Sequence, residues 1–346
     1  MSIKNYKRQS VTLTDVAEAA GVSVVTVSRA LRTPDLVSQA ARDRVDTAIR
    51  ALGYVPNPAA QALASARSRI IGVVIPSVTN QVFADLLRGV MDAVEGTPHA
   101  PQFVNTRFHG AREEDLLRML ATQRPAGMIV TGTDQTAASR AILGDMGCPV
   151  VQVMETGPDP VDMMIGCDHV AAGRAAVRHL LDQGYRRVGF LGARMDPRAQ
   201  RRLAGYRAVM EAAGLDDPAL VVTTAEPSSY SVGGRLMGDL LSATPDTDAV
   251  FCNNDDVALG ALFECQRRGL RIPSRMGIVG FNDLDISACS VPTITSVRTH
   301  RYDMGHRAVE MIVAALEDAR PAEAVIDLGF TLMERQSSRR LEGKTT

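Results

Sequence analysis

The side chains with the clearest chemical purpose are contact groups rather than catalysts. They lie in Leu13 to Leu31, LTDVAEAAGVSVVTVSRAL. Counting Leu13 as the first position, Ala17 is the fifth, Gly21 the ninth and Val27 the fifteenth. That spacing suits a helix-turn-helix, whose second helix enters the DNA major groove. A helical hairpin in an ordinary core would share the pattern. Ala17 is small enough for the helices to cross closely, Gly21 can take the positive φ of a tight turn, and Ser23 can cap the second helix. Val16, Ala17, Ala20, Val27 and Leu31 then face inward. Val24, Val25, Thr26, Ser28 and Arg29 face outward: two apolar contacts, two hydroxyls and one guanidinium.

No motif elsewhere demands catalysis. Ile75 to Asn80, IPSVTN, is not GxGxxG, and the chain has no GxxxxGK[ST], HExxH or GxSxG. The six histidines (His99, His109, His169, His179, His300, His306) show no metal-ligand spacing. Asn253-Asn254-Asp255-Asp256 departs from a calcium loop at its Gly and Glu positions. It reads instead as polar residues at the end of a strand, a ligand-cleft position.

Charge separates the ends of the chain. Residues 1–69 carry ten Lys/Arg against five Asp/Glu, a net +5, leaving 28 against 34, a net −6. A basic head on an acidic body suggests that only the head meets a polyanion. The five cysteines form no CxxC and read as buried thiols in a reducing cytoplasm. The N-terminus is polar with no signal peptide, and no apolar run is long enough to span a bilayer.

These residues need a frame. After the helix-turn-helix, Thr33-Pro34-Asp35 makes a turn, and Ser38 can cap a third helix, Gln39 to Leu52. Its apolar stripe is Ala41, Val45, Ala48, Ile49 and Leu52, and Gly53 stops it. Tyr54 and Val55 fold back onto the small core. Asn57 and Pro58 then open a short Ala-rich run, either a plain linker or a helix formed only when something packs against it. From Arg69 strand-like and helical stretches alternate. The strands run from Ile70–Ile75 to Gly277–Phe281, and the helices from Val82–Val94 to Met304–Ala319. Repeated βα units imply parallel sheets covered on both faces, with enough units for two doubly wound lobes and a passage near Gly166–Asp168. The late strands Ile294–Thr299 and Val325–Met333 read as crossovers returning between lobes. Such lobes share a cleft at their strand ends, where small ligands bind.

Together these features resemble the lac repressor family of bacterial transcription regulators, over almost the whole chain. The resemblance rests on VTLTDVAEAAGVSVVTVSRAL followed by VS, then ALGYVPNPAAQALA and IGVVIP. The body is most similar to the gluconate operon repressor branch, through IPSVTNQVFADLLRGV, FLGARMDP, SSYS, VFCNNDDVALGALFECQRRGLRIP and LGFTL. It implies an all-α helix-turn-helix head and an α/β periplasmic-binding-protein-like body of two doubly wound parallel-sheet lobes. The implied domains are a DNA-binding head, 1–55, and a hinge and linker, 56–69. The first lobe is 70–168 with 299–327, and the second is 169–298 with 328–346.

The resemblance also implies a cytoplasmic homodimer that binds a near-palindromic operator and a small-molecule effector, with no cofactor, metal or membrane. The recognition helix is Val24 to Arg32. Val24, Val25, Ser28 and Arg29 face base edges or phosphates, with Arg29 either gripping guanine or clamping phosphate. Thr12, Thr14, Ser23 and Thr26 contact the backbone. The hinge is Asn57 to Ala64, with Asn57, Ala60 and Leu63 at the DNA. Leu63 holds the place of a leucine wedged between base pairs. Leu63→Ala is therefore expected to weaken operator binding while leaving ligand binding intact; equal operator affinity at fixed salt contradicts this.

Implied effector residues are Phe83, Arg198, Arg202, Tyr230, Asn254 and Asn282. Guanidinium forks suit carboxylate or phosphate, while Asn254, Asn282, Asp255 and Asp283 can bond a polyol's hydroxyls. Sugar-binding members commonly have Asp where Asn282 stands, and losing that charge favours an anionic ligand. The expectation is gluconate or a related aldonate acting as inducer. A phosphorylated sugar acid, a neutral sugar or a corepressor mode are the alternatives within the family. Outside it stand a periplasmic-type binding protein, opposed by the head, and a sugar-acid kinase or dehydrogenase, opposed by the missing nucleotide loops. The tail Ser337–Thr346 lacks the Leu repeat of tetrameric members, so the dimer is the expected assembly.

Overall fold

The computed structural model describes residues 11–55 and 68–340. The chain forms two compact units that divide between Ser68 and Arg69. The first holds α1 (Leu13–Ala20), α2 (Val24–Arg32) and α3 (Gln39–Leu52). Their core is Val16, Ala17, Ala20, Val27, Val45, Ala48 and Tyr54, with Leu31 and Ile49 partly buried against it. Gly21 ends α1 at φ 62, the left-handed turn that glycine adopts without strain.

Three local expectations need correction. Ser38 makes no side-chain cap hydrogen bond to α3. Leu52 and Val55 are exposed, Val55 by 79%. A core this small is filled by Tyr54, so its chain neighbours on either side remain in solvent. The turn expected at Thr33-Pro34-Asp35 is present, as the 3-10 turn Pro34–Leu36.

The second unit has the α/β architecture that the alternation implies. Its first sheet, in spatial order, contains β11 (Val325–Asp327), β5 (Met163–Gly166), β4 (Val150–Val153), β3 (Gly127–Thr131), β1 (Ile70–Ile75) and β2 (Ala100–Asn105), all parallel. The second contains β12 (Phe330–Met333), β10 (Thr295–Thr299), β9 (Gly277–Asn282), β8 (Ala249–Cys252), β6 (Val188–Ala193) and β7 (Val221–Thr224). Only β12 pairs antiparallel among these strands. Strands such as IIGVVI and VGFLGA are apolar on both faces, as a sheet covered on both sides requires.

On the first sheet, α4 (Ala84–Val94) and α12 (Arg301–Leu316) cover one face. The opposite face packs against α5 (Gly110–Thr122) and α6 (Ala137–Asp145). On the second sheet, α7 (His169–Asp182) and α8 (Pro197–Ala212) oppose α9 (Tyr230–Ala243) and α10 (Asp255–Arg267). A short α11 (Asp285–Cys289), not foreseen from sequence, follows β9.

Val325–Met333 is not one strand. It breaks at Gly329, at φ 65, so β11 joins the first sheet and β12 the second. Among the described residues, three segments join the two lobes: Gly166 to His169, Thr299 to Arg301, and Asp327 to Phe330. Helix pairs approach through reciprocal glycines: Gly89 with Gly305 in α4/α12, Gly173 with Gly205 in α7/α8, and Gly233 with Gly260 in α9/α10. A Cβ at any of these positions would meet the partner helix backbone. Of the cysteines, Cys167, Cys252 and Cys265 are buried, Cys148 is half-buried, and Cys289 is exposed against expectation.

Candidate DNA face and effector cleft

In the head, Thr12 and Asp15 form a reciprocal cap. The Asp15 N–H donates to Thr12 Oγ1 at 3.3 Å, and the Thr12 N–H donates to Asp15 Oδ2 at 2.7 Å. Ser23 Oγ accepts from the Thr26 N–H at 3.1 Å and lies 2.8 Å from Thr26 Oγ1. These hydroxyls therefore hold helix starts in place, and each retains an oxygen at the surface. Thr14 and Arg29 are exposed, and Thr26 and Ser28 half-buried. Val24 and Val25 are exposed, Val25 by 58%, although a small core would favour covering them. With Leu13, Ser28, Arg29 and Thr33 they line one shallow groove. Asn57, Ala60 and Leu63 lie outside the described residues.

In the body, loops at the strand ends of both lobes line a small compartment of about 50 Å³. Phe83, Arg198, Arg202, Asn254 and Asn282 all line it. Tyr230 does not; it is 45% exposed and lines an adjoining cleft, because it starts α9 one turn outside the compartment. Three cations, Arg194, Arg198 and Arg202, face one acid, Asp196. Burial would raise the Asp196 carboxyl, but the Arg198 and Arg202 charges and the Ala199 N–H outweigh it and lower its pKa.

The arginines are not equivalent. Arg202 is wholly buried; its Nε donates to His169 Nδ1 at 3.2 Å and its Nη1 donates to the Asn253 carbonyl. Its guanidinium lies 3.8 Å over the Phe281 ring, and burial lowers its pKa to about 10. Arg202 is thus committed to the scaffold. Arg198 is 11% exposed, sits 5.8 Å from the Phe83 ring centroid, and reaches Asp196 only at 3.8 Å. Its Nη1 is buried with no hydrogen-bond partner among the described residues. A buried guanidinium donor without an acceptor is costly, and an anionic oxygen in the compartment would satisfy it.

The polyol-reading side chains expected in the second lobe are largely engaged elsewhere. Asn254 Oδ1 accepts from the Val257 N–H at 3.0 Å to cap α10, and its Nδ2 donates to Ser228 Oγ at 2.7 Å. Asp255 accepts from Ser296 Oγ at 2.6 Å and the Leu284 N–H at 2.7 Å, and burial pushes its pKa up to about 7. Asp283 pairs with Arg298 and Arg335, each at 2.7 Å. Asn282 holds φ 106 and has no side-chain hydrogen bond among the described residues, so its amide remains available.

Similarity to known proteins follows the same division. Residues 12–57 match the family of bacterial regulatory proteins, lacI family, and residues 177–338 match the periplasmic binding protein-like domain. The HTH-type transcriptional regulator GntR of Pseudomonas aeruginosa is 40% identical over 94% of this chain and 95% of its own. The chain belongs to the lacI family of bacterial regulatory proteins. GntR of Escherichia coli K12 is 37% identical over 94% of this chain and 98% of its own. A solved LacI-family transcriptional regulator from Silicibacter pomeroyi, 36% identical, covers 95% of this chain and 100% of its own with a TM-score of 0.89. These relatives are transcriptional regulators and not enzymes, so this LacI-family chain regulates transcription through its DNA-binding head. No helix among the described residues is long and apolar enough to cross a membrane.

Sequence reading of this LacI-family regulator missed Arg194, Phe108 and His169. The Arg194 guanidinium lies 3.9 Å over the Phe108 ring, joining loops from opposite lobes. Both residues hold positive φ, 65 and 61, which sequence does not reveal for Arg or Phe. The cluster of arginines in ARMDPRAQRR was the available signal. His169 accepts from Arg202 at Nδ1, so its proton sits on Nε2, which donates to the Met154 carbonyl at 3.1 Å. Burial, then the charges of Arg202 and Arg198, hold its pKa well below 6.5.

The sign of the pH effect follows. Below about 6.5 the unfolded chain gains a proton at this position that the folded chain refuses, so His169 makes stability fall as pH drops through 6.5. Urea midpoints measured above and below that pH should differ less in His169→Gln than in the parent; an unchanged difference contradicts the assignment.

Proposed function

We propose that the protein is a dimeric repressor of a near-palindromic operator, released by gluconate or a related aldonate. In this reading residues 1–55 read DNA through Val24, Val25, Ser28 and Arg29, with Thr12, Thr14, Ser23 and Thr26 at phosphates. Residues 56–69 form the hinge, with Asn57, Ala60 and Leu63 at the DNA. The lobes are 70–168 with 299–327 and 169–298 with 328–346. The observation that carries the effector class is the unpartnered, buried Nη1 of Arg198 in a compartment of three cations and one acid. A neutral sugar would leave that excess charge uncompensated. Phe83 supplies the apolar wall and Asn282 an amide for the neighbouring hydroxyl.

The dimer is supported by apolar side chains left in solvent on the second lobe. Phe263, Ile286 and Val291 are exposed, and Gln266 Nε2 ties Val291 to α10 through its carbonyl at 2.8 Å. Ligand stabilises one arrangement of the lobes and weakens operator binding by its differential affinity for the two states. Calorimetric titration with gluconate, 6-phosphogluconate and glucose tests the effector class. Tighter binding of either acid than of glucose supports it, and tightest binding of glucose overturns it.

A further inference from the structure

The small compartment alone has too little room for a six-carbon chain. Its volume of about 50 Å³ is far below the roughly 300–1,000 Å³ usual for ligand pockets, though it has room for a carboxylate. The rest of the ligand must therefore lie in a neighbouring cleft, and there are two. The stacked pair Arg194 and Phe108 lines both of them as well as the compartment.

The first cleft, about 420 Å³, is walled by Glu113, Asp134, Glu155 and Asp196 against Arg107, Arg194 and Arg198, a net negative set. Several of its polar side chains are also occupied. Arg201 holds Asp134 at 2.7 Å and Glu155 at 2.5 Å. Gln135 donates to the Thr131 and Gly132 carbonyls and accepts from Gln152, and Thr136 Oγ1 donates to Glu114.

The second cleft, about 400 Å³, has one cation, Arg194, and one acid, Asp256; its other polar walls are hydroxyls and amides. Gln81, Tyr230 and Asp256 there have side chains with no hydrogen-bond partner among the described residues. Free donors and acceptors beside a near-neutral wall suit a hydroxylated chain, and an acid in that wall suits a hydroxyl better than a phosphate.

We propose that the second cleft is the polyol subsite, in which Gln81, Tyr230 and Asp256 read the hydroxyls of an acid whose carboxylate alone enters the compartment at Arg198. Asp256 also excludes an acid phosphorylated at its far end. This deepens the sugar-acid reading and rests on it. Chain length then controls affinity through the second cleft and not the first.

Calorimetry on the full chain with gluconate, glycerate and 6-phosphogluconate tests it, using Gln81→Ala, Asp256→Asn and, as a first-cleft control, His109→Ala, whose side chain is exposed. The parent should bind gluconate at least about tenfold more tightly than either other acid, the weight of one or two hydrogen bonds. Gln81→Ala should shrink the gluconate-to-glycerate ratio, and Asp256→Asn the gluconate-to-6-phosphogluconate ratio. Glycerate affinity should hold in both variants, and His109→Ala should change nothing. The subsite is overturned if gluconate binds but both ratios survive these substitutions, or if His109→Ala moves them. A parent that binds none of the three acids overturns the sugar-acid reading itself.

Discussion

Arg198→Ala should raise the dissociation constant for gluconate by about ten- to 150-fold while leaving operator binding by the ligand-free protein intact. The magnitude is that of a charge-assisted hydrogen bond lost in a buried site, about 1.5–3 kcal/mol. Folding should suffer only modestly. Truncation removes a buried Nη1 that has no acceptor among the described residues, but also a charge that helps keep Asp196 ionised from 3.8 Å. Arg198→Lys keeps the charge without the fork and should fall between the two. Calorimetry for the ligand and thermal melting for the fold separate these effects. A variant that melts many degrees lower, or that binds gluconate like the parent, contradicts the role.

Gly205→Ala should carry one of the large stability costs among single methyls added to the body. The new Cβ would overlap the Val170 carbonyl oxygen, and across the same crossing Gly173 faces the Arg202 carbonyl at 2.6 Å from its own ideal Cβ. Both obstructions are backbone, so no rotamer change relieves them and α7 must separate from α8. Overpacking of this kind costs about 3 kcal/mol, the upper part of the usual range. Because α8 carries Arg198, Arg201 and Arg202, ligand affinity should fall with the melting temperature. Gly144→Ala is the contrast. Nothing lies within 4 Å of its Cβ, and an alanine inside α6 should stabilise by up to about 1 kcal/mol. Equal melting temperatures for the two variants would rule out the close crossing.

These substitutions also show where sequence reasoning stopped. The helix-turn-helix was legible because its core residues repeat at helical spacing and its turn needs glycine at position 21. The alternation of βα units was legible because strands covered on both faces must be apolar throughout. Arg198 and Arg202 were indistinguishable in sequence, being four residues apart on one helix. Only packing makes Arg202 part of the scaffold, bonded to His169 and Asn253, and leaves Arg198 with a donor that has no partner among the described residues. Asn254 and Asp255 sit at a strand end as a cleft position requires, yet capping and burial consume them. Val325–Met333 reads as one apolar run, and its division between two sheets depends on the conformation of Gly329. The contact of Arg194 with Phe108 arises from two loops far apart in sequence, for which no local pattern exists.

The most direct test of the whole account is the reciprocal effect of ligand and DNA. Anisotropy of labelled DNA from the region upstream of the protein's own gene gives operator affinity with and without saturating gluconate. Calorimetry gives gluconate affinity with and without that DNA. The account predicts that gluconate weakens DNA binding and that DNA weakens gluconate binding by the same factor. DNA binding that gluconate leaves unchanged while glucose releases it would contradict the account.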